Sequence, residues 1–288
     1  MLQVVIGGIT VGAVYALIAV GMSLVYSVSR VINLAQGGFV VLAALMAVAL
    51  QSHVPWPLAV DLAAVVAGMS ALLAVVERMV IRPATRRGTN ERVLLVTVGL
   101  LQALGGLLLV AWGNLPYTMR PFTGARSLPL AGALVPTQAF WVLGALALSV
   151  ALLWLLLNRT GMGLTLRATA EKPDAARLMG VDVDRMRMLS FAISGAMAAL
   201  AGVTIIPLTF AAYDSTTPYA VNGFIAAVLG GLGRMWGAVA GGLLLGLLEG
   251  VFGRFISGTM AQVVAIGALI LLLLVRPSGL FGKGELSR

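Results

Sequence analysis

The sequence predicts an all-α, polytopic membrane protein of eight to nine transmembrane helices, some of them short or broken. Three observations carry this. Of 288 residues, 60% are hydrophobic and only 10% charged, with a mean hydropathy of +1.03, whereas a soluble domain carries about a quarter charged residues. Apolar runs recur along the whole chain, and a crossing helix needs about 20 mostly apolar residues. The 19 basic residues outnumber the 10 acidic ones and fall almost entirely in alternate loops. A soluble domain and a disordered chain are excluded. Nucleic acid is excluded as a partner because the basic residues are spread between apolar runs and form no basic-aromatic surface. With no Cys there is no disulfide framework and no thiolate chemistry.

Residues 2–28 form the first span, because they lack a basic leader and are too long for a signal-peptide core. Further spans are predicted at 37–51, 58–76, 93–112, 138–157, 189–212, 236–253 and 259–275. A ninth segment, 220–233, is short and bounded by Pro218 and a glycine cluster, so it reads as a short tilted span or a re-entrant half-helix. Charge favours a crossing. With the N-terminus outside and nine crossings, every basic residue but Arg120, Arg126 and Arg254 faces inward, as short cytoplasmic loops require. Without the ninth crossing, the basic tail from Arg276 would face outward. Trp56, Trp112, Trp141 and Trp236 fall near span ends, and Trp154 near an inner end, where indole rings favour the interface.

The chain holds 35 glycines. Gly233, Gly237 and Gly241 recur every four residues, as do Gly242, Gly246 and Gly250. Gly8, Gly12 and Ala16 repeat the spacing in the first span, and Ser194, Ala198 and Gly202 in another. Small residues so placed let helices approach closely in lipid.

Catalytic groups are scarce. The single His, His53, falls in a short outer loop and reads as an interface residue. Asp61 and Glu249 are embedded in apolar runs, where ionisable groups are functional candidates, yet both fall near predicted outer ends. Asp61 is expected to reach water, and Glu249 to pair with Arg254. Two polar-glycine breaks are more suggestive. Asn33, Gln36 and Gly37 open the second span, while Asn222 and Gly223 open the short one, which is followed by Gly230 and Gly231. Discontinuous helices in corresponding positions of two halves point to a translocation path. The same Asn residues also suit helix caps, and the two roles are compatible.

The longest inward loop, 158–189, contains a short helix. Pro173 suits the first helical position, Asp174 the positive N-terminal end, Arg177 the C-terminal end, and Gly180 a left-handed stop. So short a helix draws its stability from packing. Ala175, Ala176, Leu178 and Met179 offer it small and apolar contacts, with Glu171, Lys172 and Arg177 as a polar rim, so a cytoplasmic protein is the expected partner.

From Met162-Gly163 through Arg167-Ala168-Thr169-Ala170-Glu171 to Leu178-Met179-Gly180-Val181 and Asp184-Arg185, this loop resembles the coupling segment of bacterial branched-chain amino acid ABC transporter permeases of the LivH type. The resemblance continues in order through Tyr15 to Gly21, Ile32-Asn33-Leu34-Ala35, Glu77-Arg78 with Arg82-Pro83, Ser194 to Gly202, Ala226 to Gly233, and Arg276 to Gly282. It departs at Gln36-Gly37-Gly38, where the family commonly has a small residue, His and Gly; this bears on which amino acid is carried, since the family also transports other amino acids, short amides and urea.

The resemblance implies a type II-like ABC importer permease bundle, with residues 1–288 as one permease domain in the bacterial inner membrane. It implies a second homologous permease, two cytoplasmic ATPases that grip the coupling loops, and a periplasmic substrate-binding protein. The chain carries no phosphate-binding Gly-x-x-x-x-Gly-Lys-Ser/Thr loop, so no cofactor is expected here and ATP is used by the partners. No metal site is expected. The rival reading is a secondary carrier or passive channel for small polar solutes such as amides or urea.

Overall fold

A computed structural model describes residues 1–53, 57–87, 90–124, 127–130, 133–255, 267 and 279–280. The span expected over 259–275, Trp56 and the basic tail from Arg276 lie outside these residues.

Eleven α-helices are described: α1 (Leu2–Ser29), α2 (Gln36–His53), α3 (Leu58–Val76), α4 (Arg82–Arg87), α5 (Asn90–Trp112), α6 (Thr137–Arg159), α7 (Gly161–Glu171), α8 (Pro173–Leu178), α9 (Val183–Ile205), α10 (Thr216–Gly230) and α11 (Met235–Phe255). Among the described residues, six helical segments are long and apolar enough to cross a membrane; α2 is a shorter apolar helix, and α10 has 15 residues. Helix α1 is the hub. It is apolar all round, as a helix enclosed by others must be, and packs against α6, α9, α10 and α11.

One end of the bundle gathers the charge. The C-terminal end of α1 meets α7, where Arg30 donates to the Ala170 carbonyl at 3.2 Å, and the foot of α9, where Arg187 donates to the Ser29 carbonyl at 3.4 Å. The α10–α11 turn, with Arg234, comes to the same end: Gly233 sits beside Tyr26 and Ser27. At the opposite end, Tyr117 and Ala211 exchange backbone hydrogen bonds. There an unforeseen hairpin also forms, β1 (Ser127–Leu130) antiparallel to β2 (Ala133–Pro136). Phe255 ends α11 at this far end, since Gly250 packs on Gly8 and Val4 near the start of α1. Gly279 and Leu280 are back at the basic end, where the Leu280 amide donates to the Leu229 carbonyl at 2.9 Å.

Several expected boundaries move. Helix α9 begins at Val183 rather than 189, because the Asp182 side chain caps it by accepting from the Arg185 amide at 3.0 Å. It ends at Ile205 rather than 212. The inward loop is largely helical, with α7 unforeseen, because Thr160 caps α7 by accepting from the Gly163 amide. The short span runs from Thr216 to Gly230, so Asn222 and Gly223 sit inside it instead of opening it. At about 1.5 Å per residue its 15 residues fall short of the roughly 30 Å hydrocarbon core.

The break before α2 is real. Arg30 ends α1 in the left-handed region at φ 56°, and residues 31–35 run non-helically into the bundle. Helix α2 then starts level with Ser194, eleven residues up α9, about 16 Å from the basic end at helical rise. Irregular backbone at that depth is tolerated only where protein buries it. Val31, Asn33 and Ala35 are buried, and Thr97 on α5 donates to the Ile32 carbonyl at 3.1 Å.

The small-residue spacing reads out as two seams on α11. A Cβ on Gly242, Gly246 or Gly250 would strike the backbone of α1 at Ala16, Gly12 or Gly8, and one on Gly237 or Gly241 would strike α10 at Gly230 or Ala226. Gly202 and Gly195 on α9 meet α2 and α3 in the same way. Gly233 is a correction: it lies in the α10–α11 turn at φ 83°, with only ordinary contacts to Tyr26 and Ser27, and supplies a backbone shape instead of a packing surface.

Candidate functional site

Mid-depth in the bundle, a hydrogen-bond chain crosses three helices. The Asn222 amide Nδ2 on α10 donates to the Tyr15 hydroxyl on α1 at 2.8 Å. That hydroxyl donates in turn to Glu249 Oε2 on α11 at 2.8 Å. Glu249 is thus held by Tyr15, and the expected pairing with Arg254 is not made, because the carboxylate faces α1 while Arg254 lies a turn further along. Asp61 also departs from expectation: it is buried instead of reaching water, and its Oδ1 has no partner among the described residues.

Tyr15 and Asn222 form the inner wall of a cleft of about 250 Å³ between α1, α9 and α10. Val11, Val14, Ile205 and Phe210 make its apolar walls; Thr209, Ser215, Pro218 and Tyr219 complete it at the α10 entrance. Asn222 is 5% exposed and its Oδ1 has no partner. A second cavity of about 270 Å³ lies at the basic end, along Arg30, Val31 and Ile32 and the start of α5.

Of the seven residues expected to line a path, Asn222 borders the cleft between α1, α9 and α10. Gln36 is a clamp: its Nε2 donates to the Ser194 carbonyl and its Oε1 accepts from the Ser194 hydroxyl, both at 2.9 Å, leaving no exposed surface. Gly37 allows α2 to start against Ala220 of α10, Gly223 makes room for Ile18, and Gly230 faces Gly237. Gly231 ends α10 at φ 95°. Asn33 is buried with both amide atoms unpartnered and caps nothing.

The basic end presents α8. Pro173 is its first residue, and Asp174 pairs with Arg177 at 3.3 Å on the surface. The Gly180 amide donates to the Arg177 carbonyl and the Val181 amide to the Ala176 carbonyl, both at 3.0 Å, with Gly180 at φ 82°. This is a Schellman stop. Ala176 turns inward and is buried, so it is not available to a partner as expected. Ala175 and Glu171 are exposed, and Leu178 and Met179 are 90% and 84% exposed.

The segment after α3, helix α4 and the start of α9 are joined by a network that residue spacing alone did not reveal. The segment Glu77–Ile81 is a π-helical turn, which brings Arg82 onto Glu77 five residues earlier. Arg82 grips the buried Glu77 with both Nε and Nη2, at 3.2 and 2.8 Å, and donates to the Asp184 carbonyl at 3.1 Å. Arg86 pairs with the Asp184 carboxylate at 2.6 Å. The α-helical i, i+4 template misses a pair at i, i+5.

Six helices long and apolar enough to cross a membrane, packed around a buried polar hydrogen-bond chain, define a multi-pass membrane protein. The profile described as "Branched-chain amino acid transport system / permease component" matches residues 4–274, and the chain belongs to that family. It is 32% identical over 308 aligned residues to the high-affinity branched-chain amino acid transport system permease protein LivH of Escherichia coli K12, covering 100% of this chain and 97% of that one. The BraD permease of Pseudomonas aeruginosa is likewise 32% identical, with the same coverage. The ribose import permease RbsC of E. coli is 29% identical over 145 residues, covering 48% of this chain and 44% of that one. The solved PsaBC from Streptococcus pneumoniae in complex with Fab shares the fold, with a TM-score of 0.52 over 97% of this chain and 93% of that one at 16% identity. The chain is an inner-membrane permease subunit of an ABC importer and not an enzyme; ATP hydrolysis and substrate delivery belong to partner proteins.

Proposed function

We propose that this chain forms half of the translocation pathway of an ATP-driven importer for branched-chain or related hydrophobic amino acids. It pairs with a second homologous permease, takes two ATPases on its cytoplasmic side and receives substrate from a periplasmic binding protein. It binds no cofactor itself; the ATPases use ATP. The observation that carries this is α8. A six-residue helix that exposes Leu178 and Met179 in water needs a covering surface, and it stands at the basic end, which the positive-inside rule makes cytoplasmic. The names of the full-length relatives support the substrate class.

The test is uptake of radiolabelled leucine in proteoliposomes holding the complete complex. Uptake should require ATP, and Leu178→Asp with Met179→Asp should abolish both ATPase co-purification and uptake. ATP-independent flux by this chain alone would overturn the proposal in favour of a carrier or channel for amides or urea.

A further inference from the structure

The geometry points to Arg30 as the strut that carries movement of the docking helix α8 into the broken segment 31–35. This rests on the importer reading and names a positioning residue within it.

Arg30 stands where the backbone asks for glycine. It ends α1 at φ 56°, and among the described residues it is the one non-glycine residue at positive φ. Helices α5, α8 and α10 stop at turns of the same sign with Gly113, Gly180 and Gly231. A Cβ in the left-handed region costs conformational energy that glycine avoids, and such strain persists where the side chain has a use. Core packing is not that use, because Arg30 is exposed.

The side chain makes two contacts. Its guanidinium carbon lies 5.9 Å from the centre of the Tyr26 ring, and its Nη2 donates to the Ala170 carbonyl at 3.2 Å. Ala170 belongs to the last turn of α7, where carbonyls lack helical partners and carry partial negative charge, so a cation suits that place. Only Glu171 and Lys172 separate Ala170 from Pro173, the first residue of α8. The bond therefore holds the connector from which α8 hangs. On its other side Arg30 leads straight into residues 31–35, which descend to Gln36, clamped to Ser194, and to Gly37, packed on the backbone of α10 at Ala220. Non-helical backbone changes shape at a few dihedrals, so this segment is the compliant part of the line. A shift of α8 moves the guanidinium, and the guanidinium moves the start of the break.

The experiment uses the complete complex in proteoliposomes, with ATP hydrolysis and uptake of radiolabelled leucine measured together. Arg30→Gly removes the side chain and relieves the backbone, while the bond from Arg187 to the Ser29 carbonyl stays in place. The variant should assemble with its ATPases and unfold at or above the parental thermal midpoint. Leucine carried per ATP hydrolysed should nevertheless fall about tenfold, since coupling is itself a free energy and one charge-assisted hydrogen bond has been taken from it. Arg30→Lys keeps a cationic donor on a long stem and should recover most of that ratio. An unchanged ratio in Arg30→Gly would overturn the strut. A lowered midpoint with loss of the ATPases would overturn it too, because the side chain would then only hold the fold. If the unaltered complex takes up no leucine, or takes it up without ATP, the importer reading itself fails, and the two failures are thereby separated.

Discussion

The glycine seams joining α1, α10 and α11 and the charged foot joining α3, α4 and α9 hold the same bundle by opposite means. In the seams backbone lies on backbone: Gly246 leaves no room for a Cβ against Gly12, nor Gly237 against Gly230. Lipid offers no hydrophobic drive between helices, so close van der Waals contact supplies the association. At the foot the helices are spaced by long side chains, and Arg82 reaches both Glu77 and Asp184. Cohesion where water is excluded depends on the absence of atoms, and cohesion near water on the presence of charge.

Four substitutions test that contrast. The largest effect is expected for Gly246→Leu, because its side chain must enter the α1 backbone; overpacking already costs about 1–3 kcal/mol where atoms can shift, and here they cannot. Loss of monodisperse protein in detergent is the expected readout, and a normal elution profile would contradict the seam. Next is Arg82→Ala, which strands the buried Glu77 carboxylate; removing one partner of a buried pair costs about 3–5 kcal/mol. A thermal midpoint equal to that of the parent would show that the foot is not held this way. Third, Gly144→Ala on α6 has open space around its Cβ, so the exchange should stabilise by about 0.4–1 kcal/mol through the unfolded chain, the opposite sign to any Gly exchange in the seams. The smallest effect belongs to Asp174→Ala, whose exposed partner Arg177 makes a surface pair worth well under 1 kcal/mol. A midpoint change beyond about 1 kcal/mol there would mean that α8 is held by more than its own local bonds.

The two regions were also unequally legible in the sequence. The seams could be read because small residues every four positions have one physical use in a membrane helix, and α11 shows both predicted stripes on different faces. Only Gly233 misled, since a turn glycine can share the spacing by chance of register. The foot could not be read from spacing, because a π-helical turn displaces Arg82 from the position that helix periodicity assigns it. The coupling helix was legible from its terminal residues, Pro173 and Gly180, but not the inward facing of Ala176, which tertiary packing decides. The polar breaks were recognised, yet their roles were not: Gln36 and Asn222 are both buried amides in apolar surroundings, and only the position of Ser194 and Tyr15 in space tells a clamp from a cleft wall.

The hydrogen bond from the Leu280 amide to the Leu229 carbonyl ties the far C-terminal segment to the end of α10. The last carbonyls of a helix have no partner within it, and Gly279 sits close against Val228 and Gly231 so that the chain can supply one. The helix that carries Asn222 is thus finished by residues fifty positions downstream. The C-terminal end of α10 is therefore completed by a segment from outside the helix, so its last turn is fixed by a long-range contact and not by its own sequence.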